Sequence, residues 1–200
     1  MQKLEKNQIK QAALMLSRAF KDGAKDLFPD PEERRVKEPL ISEFHLRLEY
    51  SHGEAFITSP NLEGIAVWMR SDKIKNRSLW RIISSGSAWL AFRIGFKALR
   101  KMQKNYKYTI YKHNTLVPDR HWYIAALAVD PPHQGRGHAS RLLKEGLRQV
   151  DKDNLPCYLE TDGDKNVSIY RRFGFEVIDE FIAPGSDDKT IAMLRKPQKL

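Results

Sequence analysis

The sequence is poor in cysteine: one thiol, Cys157, among 200 residues. No intramolecular disulfide is therefore possible, and a lone thiol in the apolar run "LPCYL" reads as a small core hydrophobe rather than a nucleophile. This fits a reducing, cytoplasmic setting. Long apolar runs are lacking too: no stretch reaches the roughly 18 residues a spanning helix needs. The N-terminus, "MQKLEKNQIKQAALMLSRAF", alternates charge with apolar residues and lacks a signal core with a cleavage site, so neither secretion nor a membrane span is expected. Six histidines beside a single cysteine supply no zinc spacing, and no metal site is expected. The GxxxxGK[ST] phosphate loop does not occur. There is no internal repeat, low-complexity tract or linker. With 41% hydrophobic and 30% charged residues, the chain reads as a single soluble domain over residues 1–200.

Acidic residues are scarce in one segment. From Arg70 to His121, thirteen Lys and Arg face only Asp72 and Asp119, a net of +11 that exceeds the +10 of the whole chain. Such a segment is a solvated helical face, or it meets an acidic ligand, nucleic acid or an anionic membrane. Its sequence, "SLWRIISSGSAWLAFRIGFKALRKMQKNYKY", reads as helical and broken near "SSGS", with Trp80, Trp89, Phe92 and Phe96 among the cations. Two packed helices covering a cleft are the simpler expectation. Arg93 and Lys97 interrupt the apolar stretch, which weakens the reading as an interfacial membrane helix.

The rest alternates helix and strand. Ile9, Ala12, Ala13, Leu16 and Phe20 share one helical face, and Val36, Leu40, Phe44 and Leu48 share another. "FPDPEE" supplies an acidic helix start between them. "EAFIT" and "GIAVWM", separated by the turn "SPNLEG", read as antiparallel strands. "HWYIAALAVDP" is a continuous apolar run expected to be buried on both faces. It is followed by the helix "RLLKEGLRQVDK" and the strand "PCYLETD", forming a β-α-β unit. A short helix, "NVSIYRRFG", is stopped by Gly174, and "FEVIDEFI" and "KTIAMLRK" close the chain as a hairpin.

The most informative stretch is "HQGRGHASRLL". Ala139, Leu142, Leu143, Leu147 and Val150 mark the buried face of a helix beginning near Gly137. Amides in the first helical turn lack intrahelical partners and sit at the positive end of the dipole, so they suit a pyrophosphate. Gly135 and Gly137 let a ligand reach the backbone. The dinucleotide fingerprint GxGxxG fails because Ser140 takes the third glycine position.

The stretch instead meets a Q/R-x-x-G-x-G/A pattern through Gln134, Gly137 and Ala139. Taken with "WYIAALAVDP", "YLETD" and "NVSIYRRFGF" in that order, it resembles the GNAT superfamily of N-acetyltransferases over about residues 120–196. The opening, with "SRAF", "LFPD" and "GIAVWM", is similar to the puromycin N-acetyltransferase-like branch. The segment at about 73–118 matches no motif and reads as a basic helical insertion. The resemblance implies an α/β (α+β) GNAT fold: a mixed central sheet, N-terminal helices, a pyrophosphate-binding central helix and a C-terminal β-hairpin. It implies transfer of an acetyl group from acetyl-CoA to a primary amine of a small molecule or peptide, directly within a ternary complex.

By position, the backbone of Leu127, Ala128 and Val129 is then implied to pair with the pantetheine arm, with the Val129 N–H as oxyanion donor. Amides of Gln134, Gly135, Arg136, Gly137, His138, Ala139 and Ser140 hold the pyrophosphate, with His138 pointing to solvent. Tyr170, four residues after Asn166, is implied to return a proton to the departing thiolate; a phenol of reference pKa about 10 suits a thiol of about 8.5. Asn166 bonds the pantetheine or caps its helix. The central strand carries Ala125 and Ala126 where many relatives have glutamate, so Glu160 in "YLETD" is the candidate base. His121 is a second candidate, and Asp162 or Asp164 are alternatives for holding an acceptor's cation. Two other readings stand beside the enzyme: a basic nucleic-acid-binding module and a noncatalytic CoA sensor. Acceptor and oligomeric state are left open.

Overall fold

A computed structural model describes residues 1–21, 23–74, 85, 87–184 and 186–198. Seven strands, β1 (Gln2–Lys3), β2 (Glu54–Ile57), β3 (Gly64–Arg70), β4 (Trp122–Val129), β5 (Cys157–Thr161), β6 (Glu176–Ile182) and β7 (Lys189–Arg195), form one mixed sheet. Their order is β1-β2-β3-β4-β5-β7-β6, antiparallel throughout except between β4 and β5. That one parallel pair is the β-α-β unit, whose crossover must carry a helix. The C-terminal hairpin β6–β7 docks against β5.

The helices described are α1 (Ile9–Ala19), α2 (Pro31–Tyr50), α3 (Ser71–Ile74), α4 (Ala88–Ile94), α5 (Phe96–Leu116), α6 (His138–Lys152) and α7 (Asp164–Arg171). Asp30 starts α2 by accepting the Glu33 backbone N–H at 2.9 Å, with Pro31 at the first helical position and Glu32 and Glu33 in the first turn. The basic segment places α3, α4 and α5 between β3 and β4. Trp80 and half of "SSGS" lie outside the described residues; among the described ones a break is found at Gly95, whose φ of 101° separates α4 from α5.

The sheet buries both faces. On one, Leu142, Leu143, Leu147 and Val150 of α6 pack with Trp68, Trp122, Ile124 and Leu159. On the other, Ile9, Ala12, Ala13 and Leu16 of α1 and Leu46 of α2 cover Ile57, Ile65 and Val67. Two expected core positions are exposed. Phe20 follows the last residue of α1 at the point where the chain turns away, and Val36 lies in the first half of α2, ahead of Phe44 and Leu48, which bury against Leu90 and Ile94.

Gly146 is needed for packing. A Cβ built on it would stand 2.1 Å from Cζ2 of the buried Trp68 ring. Helix propensity alone makes Gly→Ala stabilising by about 1 kcal/mol. Overpacking of a close contact reverses the sign, and Gly146→Ala should cost about 1–3 kcal/mol in urea unfolding. A gain in stability would show that Trp68 does not rest on this helix.

Candidate active site

The parallel pairing of β4 with β5 runs only through Trp122–Cys157, Tyr123–Tyr158 and Ile124–Leu159. Beyond it β5 stays with β7 as far as Thr161–Ile191, while β4 continues to Val129 against β3 alone. Ala125 is the extra residue of a bulge in β4 opposite Val67 and Trp68. The two strands therefore part, and the β5-facing backbone edge of β4 from Ala125 to Val129 has no strand beside it. Tyr123, Ala125, Ala126, Leu127 and Val129 keep partial exposure. This corrects the expectation of a strand buried on both faces: the run is apolar because it borders an opening as well as a core.

One rim of the opening is the turn after β4. Arg18 of α1 grips Asp130 with two hydrogen bonds, Nε to Oδ1 at 2.9 Å and Nη2 to Oδ2 at 2.7 Å, and holds the Asp130 carboxyl below its ordinary pKa. A 3₁₀ turn, Pro131–His133, leads to Gln134, whose Nε2 donates to the Val129 carbonyl at 3.1 Å. Gly135 and Gly137 have φ of 77° and 82°, and nothing lies within 4 Å of where their Cβ atoms would be. Gly137 precedes α6, and no side chain caps the helix. Its first-turn amides face an uncluttered space, which a pyrophosphate fits. Arg136 is exposed, while Ala139 and Ser140 are half-buried. His138 departs from expectation: it is half-buried, its ring edge-on to His133 at 6.3 Å.

Glu160 and Tyr170 lie on opposite faces of the sheet. Leu159 joins the α6 side of the core, so Glu160, its neighbour along the strand, points to the other face. There its carboxylate accepts Tyr123 Oη on Oε2 and Tyr158 Oη on Oε1, each at 3.0 Å. Burial raises its pKa to about 7, against the lowering effect of the two phenols. Desolvation, reinforced by the Glu160 charge, lifts both tyrosines well above 10, so they remain donors. Tyr170 packs on the α6 side, edge-on to Phe175 at 5.7 Å, and burial raises its phenol to about 12.

His121 is buried away from any amine path. Its Nδ1 lies 2.6 Å from the Asp119 carbonyl and its Nε2 2.6 Å from Nε2 of His113. A carbonyl only accepts, so His121 donates through Nδ1, and its Nε2 shares a hydrogen bond with His113 Nε2. The His113 ring stacks on Tyr158 at 4.2 Å and lies 4.9 Å from Tyr123. His121 is thus part of the support beneath the tyrosines. Asn166 is not a helix cap either: it lies within α7, behind Gly163, and its Nδ2 donates to Asp162 Oδ1 at 3.1 Å. Asp162 and Asp164 line a shallow cleft of about 420 Å³ with Asp188 and Lys189.

Tyr123, Tyr158 and His113 were missed by reasoning from sequence. Tyr158 and Glu160 are spaced i, i+2, which places them on one face of a strand, and that signal was available. His113 carries no signal that links it to them across 45 residues of chain. Cys157 is buried as expected, and desolvation pushes its thiol upward, away from reactivity.

Residues 88–175 match the acetyltransferase (GNAT) family, and the parted strands, glycine turn and central helix lie within or beside that span. The chain has the GNAT fold. A histone acetyltransferase HPA2-related protein of Corynebacterium glutamicum shares that GNAT fold with a TM-score of 0.61 and 21% identity, covering 100% of this chain and 96% of its own. The ribosomal-protein-S18-alanine N-acetyltransferase of Escherichia coli superposes with a TM-score of 0.54 and 13% identity, covering 100% and 94%. An uncharacterized N-acetyltransferase of Schizosaccharomyces pombe is 24% identical over 98% of this chain and 83% of its own. Among the described residues no helix is long and apolar enough to cross a membrane, and no cluster of His, Cys, Asp or Glu could hold a metal ion.

Proposed function

We propose that this protein is an acetyl-CoA-dependent N-acetyltransferase acting on a primary amine of a small molecule or peptide by direct transfer. The observation that carries the reading is Glu160: a desolvated carboxylate with a pKa raised to about 7, beside the opening between β4 and β5. Acetyl-CoA supplies an acyl group activated by a thiol leaving group. Leu127, Ala128 and Val129 offer the unpaired β4 edge to its pantetheine arm, and the Val129 N–H is the oxyanion donor. The amides of the 134–140 turn receive the pyrophosphate, and Asn166 bonds the pantetheine. Glu160 takes a proton from the attacking nitrogen, directly or through water, while Tyr123 and Tyr158 hold its two oxygens in place. Tyr170, kept protonated near pH 7, gives its phenolic proton to the departing sulfur.

The test is calorimetric titration with acetyl-CoA, followed by assay of CoA thiol release on a panel of amines. The panel includes aminonucleosides, because the opening of the chain is similar to the puromycin N-acetyltransferase-like branch. Tyr170→Phe should lower turnover by about 100-fold or more with acetyl-CoA affinity unchanged; near-normal turnover would remove Tyr170 as the acid. Binding without turnover on any amine would favour a CoA sensor over an enzyme.

A further inference from the structure

We propose that the outer face of α4 and α5 is a docking surface for an anionic lipid bilayer. Three of the four most exposed large hydrophobic side chains of the described chain lie at its start, Trp89 at 64%, Phe92 at 77% and Phe96 at 81%, with Tyr111 at 65% further along. Trp89 and Phe92 lie three residues apart on α4, and Phe96 is the first residue of α5 beyond the Gly95 break, so all three form an apolar tip at the junction of the two helices. Along α5 the exposed positions then run Lys97, Arg100, Gln103, Lys104, Lys107 and Tyr111, spaced as a single solvent-facing stripe. The opposite side of α5 is committed to the protein. Ala98 packs with Phe44 and Leu48, His113 lies under the tyrosines, and Lys112 is turned to Asp179.

The cations converge. Lys97, Arg100, Lys101, Lys104 and Lys107, with Gln103, line one open cleft of about 460 Å³, and no Asp or Glu occurs from Lys73 to Pro118. Lys101 also donates to the Asp26 carbonyl, which ties the stripe to the body of the protein. An apolar tip beside a rod of cations is the pattern of a helix lying in a bilayer interface: aromatic rings enter the headgroup boundary while Lys and Arg meet anionic lipid.

Single-stranded nucleic acid is the competing partner for basic and aromatic residues, but it spreads aromatic platforms along the groove that tracks its backbone. Here Trp89, Phe92 and Phe96 stand at one end, Tyr111 is exposed at the other, and no exposed aromatic lies among the cations from Lys97 to Lys107. Trp89 and Phe92 already stack on each other, centroids 5.7 Å apart at 25°, so those faces are closed to bases. The charge complement and the apolar tip together select the bilayer.

The proposal does not depend on the acetyltransferase reading. It is tested by sedimentation of the purified full chain with vesicles of phosphatidylcholine alone and with about 30% phosphatidylserine, at about 0.15 M salt. We expect at least tenfold stronger binding to the anionic vesicles. Trp89→Ala/Phe92→Ala/Phe96→Ala should weaken that binding about tenfold or more, and Arg100→Glu/Lys104→Glu/Lys107→Glu should abolish the lipid preference, with circular dichroism melts as the control for folding. The dependence on phosphatidylserine content is read on the unaltered protein and needs no variant. Absence of binding to anionic vesicles, or equal binding to both compositions, overturns the proposal. Tighter binding to poly(U) than to anionic vesicles at the same salt overturns it in favour of nucleic acid.

Discussion

Glu160→Gln should lower turnover by about 10²–10⁴-fold above pH 7 and at the same time make the protein more stable there. The two effects share one cause. The folded protein holds the Glu160 proton more tightly than the unfolded chain, with a pKa raised from 4.5 to about 7 by desolvation. Its stabilising contribution is full below about pH 4.5 and is lost as the pH rises through about 7, where the folded protein must carry a desolvated carboxylate. The shift corresponds to a ceiling on the order of 3 kcal/mol at pH 8. Glutamine is relieved of that ionisation, although the phenols of Tyr123 and Tyr158 exchange a charged acceptor for a neutral amide. A general base must be ionised, so wild-type kcat/KM should climb with pH and level off above about 7, and the variant should lose that rise. The checks are a pH–rate profile and urea melts at pH 5 and pH 8. A variant that stays active and melts earlier at pH 8 would make Glu160 a structural acceptor for two tyrosines and nothing more.

The sheet, the β-α-β crossover and the glycine turn were legible because each is specified locally. Alternation, helical spacing and a glycine at positive φ act over a few residues, and Gly135, Gly137 and Gly174 all adopt φ between 77° and 84°. Glu160 was named as the candidate base from the resemblance, because Ala125 and Ala126 stand where many relatives have glutamate, and its role as base is a proposal. What surrounds it was not legible. The pairing of Tyr123 with Tyr158 needs the register of a parallel pair whose strands lie 35 residues apart. The stack of His113 on Tyr158 needs the docking of a helix from the one segment with no recognisable motif. The same distance dependence explains the errors. His121 stands next to Trp122 and Tyr123 in "HWY", so sequence alone put it in the site, whereas pleating sends its ring toward His113. Phe20 and Val36 have the right period but, among the described residues, lie where no neighbouring element covers them.

Gly137→Trp should abolish acetyl-CoA binding, raising Kd by about 100-fold or more, an effect near 2.7 kcal/mol. The space at issue is the region ahead of α6, where a Cβ on Gly137 would meet nothing within 4 Å. An indole there adds bulk where the pyrophosphate must approach the amides, while touching no core residue. Backbone strain complicates the comparison, since φ at Gly137 is 82° and any side chain other than glycine's pays about 1–2 kcal/mol in that region. Gly137→Ala separates the two terms. Alanine is small but pays the left-handed penalty that tryptophan pays, so it should retain binding within about tenfold of wild type while carrying most of the strain. Calorimetry on the three proteins, at matched helicity by circular dichroism, then reads space alone. Equal losses in both variants would mean that the turn geometry, rather than open room above it, sets affinity. Wild-type binding by Gly137→Trp would place the pyrophosphate elsewhere and break the link between this turn and acetyl-CoA.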